Sequence, residues 1–178
     1  FGLHGANILD PIMNALYLPA LTDNAAAIEA GLAAPNVITR VFFDTYVHLG
    51  GSGATIGLII AIFIAAKKRK EYREVAKLST PSGIFQINEP MMFGLPIVLN
   101  PILFIPFIIT PGILTLIGYI GTATGFAPPT YVAIPWTTPP VVGAFLATGA
   151  TSASWRAAVL AAINLVISVL IYLPFIKL

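Results

Sequence analysis

Apolar runs broken by proline and glycine dominate the pattern of the chain. The most regular run, residues 155–178, is long enough to cross a hydrocarbon core of ~30 Å at ~1.5 Å per residue. It opens with Trp-Arg and carries Lys177 near its end, residue types that anchor membrane helices at interfaces. A second run, residues 37–66, is interrupted at residues 50–53 by Gly-Gly-Ser-Gly. The pattern predicts an all-α integral membrane protein.

The glycine-rich break is expected to lie at membrane depth. Residues 54–66, which follow it, form an uninterrupted apolar segment that spans only ~20 Å as a helix. Residues from the break or before it are therefore needed to cross the hydrocarbon core. Irregular backbone at that depth is tolerated only where it is buried in protein or lines a cavity.

Two further stretches, residues 79–94 and 126–149, are rich in proline and glycine and predict re-entrant hairpins rather than spanning helices. The first would carry Asn88 and Glu89 at its tip. Between the two stretches, residues 96–120 hold a proline at every fifth position from 96 to 111. Because each proline frees a backbone carbonyl, we expect this crossing to be bent or unwound in places.

The N-terminal part of the chain has a less regular pattern. Residues 1–20 are apolar but interrupted by Gly, Asn, Asp and Pro, and predict the end of a membrane helix running into an irregular, cavity-lining stretch. Residues 21–35 predict a short helix capped by Thr22 or Asp23 and ending at Gly31. Because the chain opens inside an apolar stretch with no initiator methionine, we expect it to be the C-terminal part of a larger membrane protein.

Composition and charge support the membrane assignment. The chain is 57% hydrophobic and 9% charged, whereas soluble domains carry about 25% charged residues. Most basic residues cluster in residues 67–77, which places this loop on the cytoplasmic side, and counting crossings puts the C-terminus there too. A nucleic-acid-binding face is not expected from a net charge of +2. Cysteine is absent, which excludes disulfides, thiolate metal sites and a cysteine nucleophile on this chain.

Glu89 is the first candidate for chemistry. It is the second-last residue of the run STPSGIFQINEP, residues 79–90, and no charged residue follows until Arg156. An ionisable residue inside a membrane is by default a hypothesis of function. A carboxylate in apolar surroundings is suited to accept a proton near neutral pH. The alternative is a surface carboxylate paired with the neighbouring basic loop.

The remaining candidates each have a structural alternative. His4 could be a packed core histidine or a polar group of a site. Asp44 and His48 share a helix face at i and i+4, but two ligands do not define a metal site, and we expect none. Trp136 could be an interfacial tryptophan or an apolar platform for a sugar ring. No Walker-type motif and no G-x-S-x-G elbow occur, and no cofactor is expected.

Four segments together resemble one family: FGLHGAN, VHLGGSGAT, STPSGIFQINEP and AIPWTTPP. They are similar to enzyme IIC, the sugar-translocating membrane subunit of the phosphoenolpyruvate-dependent phosphotransferase system, in its lactose, cellobiose and diacetylchitobiose branch. The resemblance covers residues 1–178 and corresponds to the C-terminal, substrate-binding part of the IIC transmembrane domain. It implies that the N-terminal helices, which form much of the family's homodimer interface, are absent from this chain.

The resemblance implies a function in the bacterial cell membrane. A β-linked disaccharide of cellobiose, diacetylchitobiose or lactose type would be phosphorylated on its 6-hydroxyl by a phosphocysteine of a separate IIB protein. Glu89 would accept the hydroxyl proton, with His4 as the second catalytic and sugar-binding group. Asn88 and Trp136 would be further sugar contacts. The alternatives are a proton-coupled secondary sugar transporter and a non-catalytic membrane binding subunit.

Overall fold

The computed structural model describes the backbone of residues 5–177 and the side chains of residues 8–177, and all regular structure in them is helical. In the described part of the chain the α-helices are α1 (Gly5–Glu29), α2 (Arg40–Tyr46), α3 (Thr55–Ala65), α4 (Lys70–Ile84), α5 (Glu89–Gly94), α6 (Pro101–Ala123), α7 (Pro140–Ala147) and α8 (Ser154–Lys177). Two short 3₁₀ turns, Ser52–Ala54 and Ile97–Leu99, precede α3 and α6.

Two of these helices are long and apolar enough to cross a membrane. α6 has 23 residues and α8 has 24, with mean hydropathies of 2.1 and 2.5 over their most apolar windows. Only 28% and 33% of those windows are buried inside the protein. The outward faces carry large aliphatic side chains, among them Ile105, Ile109, Val166 and Leu170. The core helix of a soluble protein would be mostly buried, so these exposed apolar faces fit a lipid environment. The predicted C-terminal helix is confirmed over the described residues, as α8, Ser154–Lys177.

α8 is the central helix and packs against α3, α6 and α7. Its buried face carries polar groups that bind backbone carbonyls of neighbouring segments. The Asn164 amide donates to the carbonyl oxygens of Tyr46 (2.9 Å) and Leu114 (3.2 Å), and the Tyr172 hydroxyl donates to that of Gly53 (2.6 Å). Tyr46 ends α2 and Gly53 lies in a 3₁₀ turn, so α8 satisfies carbonyls at places where a helical ladder is broken.

These contacts set the depth of the glycine-rich break. Asn164 is the eleventh of the 24 residues of α8, and Leu114 is the fourteenth of the 23 residues of α6. Both lie near the midpoint of a long apolar helix, and both meet the end of α2 through the Asn164 amide. The end of α2 therefore lies near the midpoint of both helices, and the break that follows it meets α8 at Tyr172, the nineteenth of its 24 residues.

The C-terminal end of α8 lies on the same side as the basic loop. Tyr172 and Ile176 of α8 share a buried cluster with Ala66 and Ala76. Ala66 directly precedes the basic stretch 67–77, and Ala76 lies within it, on α4. This packing agrees with the expectation that the loop and the C-terminus face one side of the membrane.

The N-terminal prediction is wrong in one respect. Instead of an irregular stretch followed by a separate short helix, residues 5–29 form the continuous helix α1, with Pro11 and Pro19 inside it. Each proline removes a single N–H donor, and a membrane helix tolerates such a loss when neighbouring groups compensate. The predicted stop is close to the observed one, since α1 ends at Glu29 and Gly31 adopts a φ of +74°.

The stretch around Glu89 is more helical than predicted. α4 continues to Ile84 with Pro81 inside it, so the irregular part is only the turn 85–88. Glu89 is the first residue of α5 rather than part of the turn. α6 likewise continues through its internal prolines, and the expected unwinding is confined to residues 96–100 before it.

Candidate functional site

One cavity of about 280 Å³ lies where the broken segments meet. Glu89 and Trp136, which the sequence suggests independently, both line it. The full lining is Leu9, Asp10, Met13, Arg40, Asp44, His48, Gly51, Ser52, Gln86, Glu89 and Trp136. These side chains come from α1, α2, the glycine-rich break, the start of α5 with the turn before it, and the irregular segment before α7. The volume is near the lower end of the ~300–1,000 Å³ typical of small-molecule pockets.

Gln86 joins three of these segments. Its side-chain amide donates to the carbonyl oxygens of Asp44 (3.1 Å) and Thr138 (2.9 Å), and the residue is only 5% exposed. The backbone holds Gln86 at a φ of +67°, an uncommon conformation for a residue with a side chain. This turn therefore fixes the end of α2 and the stretch before α7 directly beside Glu89. The two predicted hairpins thus contribute to the same cavity.

The glycine-rich break packs tightly on the same turn. The Asn88 amide donates to the carbonyl oxygen of Ser52 (2.8 Å), and Asn88 is 2% exposed. Gly51 has a φ of +95°, and a Cβ atom there would lie 2.8 Å from the Gln86 carbonyl oxygen. Asn88 is not among the described residues that line the cavity, so its observed role is to hold the break against the turn.

An ionic network that the sequence pattern does not reveal connects α1 to α2. The Arg40 guanidinium binds Asp10 (2.6 Å) and Asp44 (2.8 Å), and its Nε donates to the Asn14 side chain (3.0 Å). The Asn14 amide in turn donates to Asp10 (3.0 Å). The opposite charges of Arg40 and Asp44 at i and i+4 are visible in the sequence, whereas Asp10 is 30 positions away and gives no such signal.

His48 extends this network along the cavity wall. Its Nδ1 lies 3.5 Å from Oδ1 of Asp44, so the two side chains are neighbours, although α2 ends at Tyr46 and His48 lies beyond the helix. The His48 ring stacks on Phe43 with centroids 6.3 Å apart. Asp44 already binds Arg40, and the part of the chain that the structure describes contains no cluster of three or more potential metal ligands among His, Asp and Glu. Both residues line the cavity, with Asp44 bound to Arg40 and His48 beside Asp44.

The chemistry of the lining suits a neutral ligand rich in hydroxyl groups. Asp10, Asp44 and Glu89 provide carboxylate acceptors, and Trp136 adds an aromatic surface that is 54% exposed. Carboxylates accept hydrogen bonds from hydroxyls, and an aromatic face packs on the apolar side of a ring. His4, the other predicted catalytic residue, lies outside the described residues.

Comparison with known proteins gives consistent matches. The family model "Phosphotransferase system, EIIC" matches residues 1–111. The lichenan permease IIC component of Bacillus subtilis (strain 168) is 44% identical over 177 residues, which are 99% of this chain and 38% of the relative. The cellobiose-specific EIIC component of Lactococcus lactis subsp. lactis (strain IL1403) is 41% identical over 199 residues, covering 99% of this chain and 39% of the relative.

A solved structure gives the same result. The crystal structure of the transporter ChbC, the IIC component from the N,N'-diacetylchitobiose-specific phosphotransferase system, matches with a TM-score of 0.91 and 37% identity. The match covers 99% of this chain and 40% of that one. The chain therefore spans about two fifths of the length of the relatives that it matches.

Proposed function

The chain belongs to the EIIC family of the phosphotransferase system, and from this premise we propose that it forms the sugar-binding part of a sugar-translocating membrane subunit. The observation that carries the proposal is the convergence of the broken segments on one cavity near mid-depth of the two long helices. Broken helices that meet at the midplane are the usual setting of a transport site. On this view the stretches 79–94 and 126–149 are re-entrant elements of the membrane domain.

The proposed substrate is a β-linked disaccharide. Relatives are described as lichenan, cellobiose-specific, lactose-specific and N,N'-diacetylchitobiose-specific components, so the family branch favours a disaccharide of cellobiose, diacetylchitobiose or lactose type. The cavity supports this choice because it combines carboxylate acceptors with the exposed ring of Trp136. We assign Trp136 the role of a platform for one sugar ring.

Glu89 is proposed as the proton acceptor in phosphorylation by a cytoplasmic IIB protein. The 6-hydroxyl oxygen attacks the phosphorus of a phosphocysteine, the phosphorus–sulfur bond breaks with the thiolate as leaving group, and the hydroxyl proton passes to Glu89. Such a transfer depends mainly on positioning the nucleophile. Glu89 starts a helix fixed by the turn that Gln86 and Asn88 hold in place. His4 is proposed to assist at the same hydroxyl, and Asn88 acts through the position of the glycine-rich break.

The partners follow from the same proposal. The IIB protein would approach from the side of the basic loop, where residues 67–77 carry most of the positive charge. The subunit would act as a homodimer through parts of the full-length protein outside this chain.

Glu89→Gln in the full-length protein is the direct test. The amide keeps the shape and hydrogen-bonding capacity of the side chain but loses basicity, so disaccharide binding should stay within a few fold. Phosphorylation by IIB should fall by ~10²–10⁴-fold, the usual contribution of a general base. Glu29→Gln, an exposed change at the end of α1 outside the cavity and the basic loop, serves as the matched control and should leave both measurements unchanged. Full phosphorylation in the Glu89→Gln variant would remove Glu89 from the base role.

A proton-coupled secondary transporter would share the broken helices and the carboxylate, so the form of the sugar inside the cell decides between the two functions. Phosphorylated disaccharide that accumulates only with phosphoenolpyruvate and IIB supports the phosphotransferase function. Free disaccharide that accumulates with a proton gradient alone would contradict it.

A further inference from the structure

The cavity that holds the proposed sugar site has an excess of negative charge. Among the described residues, three carboxylates, of Asp10, Asp44 and Glu89, line it against the guanidinium of Arg40. With His48 counted as neutral at pH 7, the formal charge of this lining is two units negative. A neutral disaccharide pays no Coulomb penalty in such a cavity, whereas an anion does.

Arg40 offers less to an anion than a free guanidinium because three of its five N–H donors are occupied and its charge is shared by two carboxylates. One terminal nitrogen binds Asp44 at 2.8 Å, the other binds Asp10 at 2.6 Å, and Nε donates to Asn14 at 3.0 Å. These three hydrogen bonds leave only two of the five N–H donors of the guanidinium, and both belong to nitrogens that already bind a carboxylate. The basic residues of the loop 67–77 lie outside the lining of the cavity.

Gln86 gives an independent indication of the ligand that the cavity takes. Its Oε1 is buried and has no hydrogen-bond donor among the described residues, while its amide nitrogen is used by two carbonyls. A sugar hydroxyl can donate a hydrogen bond to such an oxygen, but a fully ionised phosphate carries acceptors only. The unpaired acceptor therefore matches a hydroxyl group, and not a phosphate group, at this point of the cavity wall.

We propose that the Asp10–Arg40–Asp44 network makes the cavity select the neutral disaccharide over its 6-phosphate, so that phosphorylation itself lowers the affinity of the product and drives its release. The inference rests on the proposed function and extends it from the transfer step to product departure. A sugar phosphate carries about −1.5 to −2 charges at pH 7. At an effective dielectric constant of ~20, each like charge ~7 Å away weakens its binding by on the order of tenfold or more.

The test is a competition experiment on the detergent-purified full-length protein with radiolabelled disaccharide. The competitors are the unlabelled disaccharide, its 6-phosphate and its 6-O-methyl ether, which adds bulk at the same oxygen without charge. The 6-phosphate should compete at least ~100-fold more weakly than the disaccharide, and the ether should stay within about tenfold of it. We define the selectivity ratio as the affinity for the disaccharide divided by the affinity for its 6-phosphate. Raising the salt concentration from ~0.05 M to ~0.5 M should lower this ratio in the unmutated protein, because salt screens charge.

Two variants with opposite expected signs test the role of the network. Asp10→Asn should lower the ratio of disaccharide affinity to 6-phosphate affinity by about tenfold, because one negative charge is lost. Arg40→Gln should raise the same ratio, because a positive charge is lost. Asp23→Asn makes the same chemical change on an exposed site of α1 outside the cavity and should leave the ratio unchanged. A variant whose fold is merely damaged would bind the disaccharide and its 6-phosphate more weakly by the same factor, so the ratio of the two affinities would not change.

The outcomes separate the two proposals. A wild-type protein that binds the disaccharide and its 6-phosphate equally, or that rejects the ether as strongly as the phosphate, overturns the charge-selection inference alone. The inference is also overturned if Asp10→Asn and Asp23→Asn show the same ratio of disaccharide affinity to 6-phosphate affinity. A wild-type protein that binds no disaccharide overturns the proposed function.

Discussion

Replacing Gly51 with alanine should open a steric conflict between the glycine-rich break and the turn at the cavity wall. Gly51 lines the cavity and has a φ of +95°, a conformation that residues with a Cβ atom rarely adopt. A Cβ atom there would lie 2.7 Å from Cγ of Asn88, 2.8 Å from the Gln86 carbonyl oxygen and 2.9 Å from Cβ of Asn88. The conflict is therefore with the turn that precedes Glu89, and partly with its backbone.

Two terms contribute to the expected free energy. At Gly51 φ is +95° and ψ is −168°, a region essentially restricted to glycine, and placing alanine there costs roughly 1–3 kcal/mol. Forcing one methyl group into a packed site costs about 1–3 kcal/mol. The free energy of unfolding should fall by about 2–6 kcal/mol from the two together. The break and the turn must also move apart by several tenths of an ångström, and a displacement of ~1 Å at a reacting group can lower a rate ~10²-fold.

Gly125→Ala separates the two terms. Gly125 has a φ of +77°, but a methyl group added there would meet no atom within 4 Å, so alanine carries the conformational cost without the steric one. Unfolding in mixed micelles of increasing SDS content gives the stability of each variant, and IIB-dependent phosphorylation gives the activity. Gly51→Ala should be less stable than Gly125→Ala by about 1–3 kcal/mol, and it alone should lose activity. Equal stability and equal activity of the two variants would refute the packing argument.

Three further changes test other contacts. Tyr172→Phe should lower the free energy of unfolding by about 1 kcal/mol, because the Gly53 carbonyl loses its donor and hydrogen bonds in membrane proteins contribute on this scale. Its control is Tyr119→Phe, an exposed change on α6, measured in the same SDS titration. Asn164→Leu keeps the volume but removes two hydrogen bonds, and should cost about 1–3 kcal/mol in that assay. Trp136→Ala should weaken disaccharide binding about tenfold in calorimetry while Trp136→Phe retains most of it; an unchanged affinity in the alanine variant would exclude the platform role.

The features that could be predicted from the sequence are those fixed by local composition. α8 is a uniform apolar run with polar anchors, and the break at residues 50–53 follows from three glycines in four positions. Glu89 and Trp136 could be chosen as candidates because each is unusual in its own segment. Their meeting in one cavity depends on contacts over long sequence distances, such as Gln86 with Thr138, which are 52 positions apart.

Proline accounts for most of the differences between the predicted and the observed helices. Pro11 and Pro19 in α1, and Pro81 in α4, favour irregular backbone by their type, yet each lies inside a continuous helix. Proline removes one helical hydrogen bond, and a membrane helix tolerates this loss where neighbouring groups satisfy the freed carbonyl. The Arg40 network escapes prediction for a different reason, since its contact with Asp10 joins two helices that the sequence does not show to be neighbours.

The groups that satisfy the broken backbone also set the geometry of the site. Asn164 and Tyr172 donate to carbonyls at the end of α2 and in the glycine-rich break. From the turn before Glu89, the Gln86 amide donates to the carbonyls of Asp44 in α2 and Thr138 before α7. In an apolar layer these carbonyls have no water to accept from, so each donor stabilises the fold and fixes one wall of the cavity at once. Loss of any of the three should therefore change sugar affinity together with stability, whereas a change at an exposed cavity residue such as Trp136 should change affinity alone. This difference distinguishes the residues that build the cavity from those that contact its ligand.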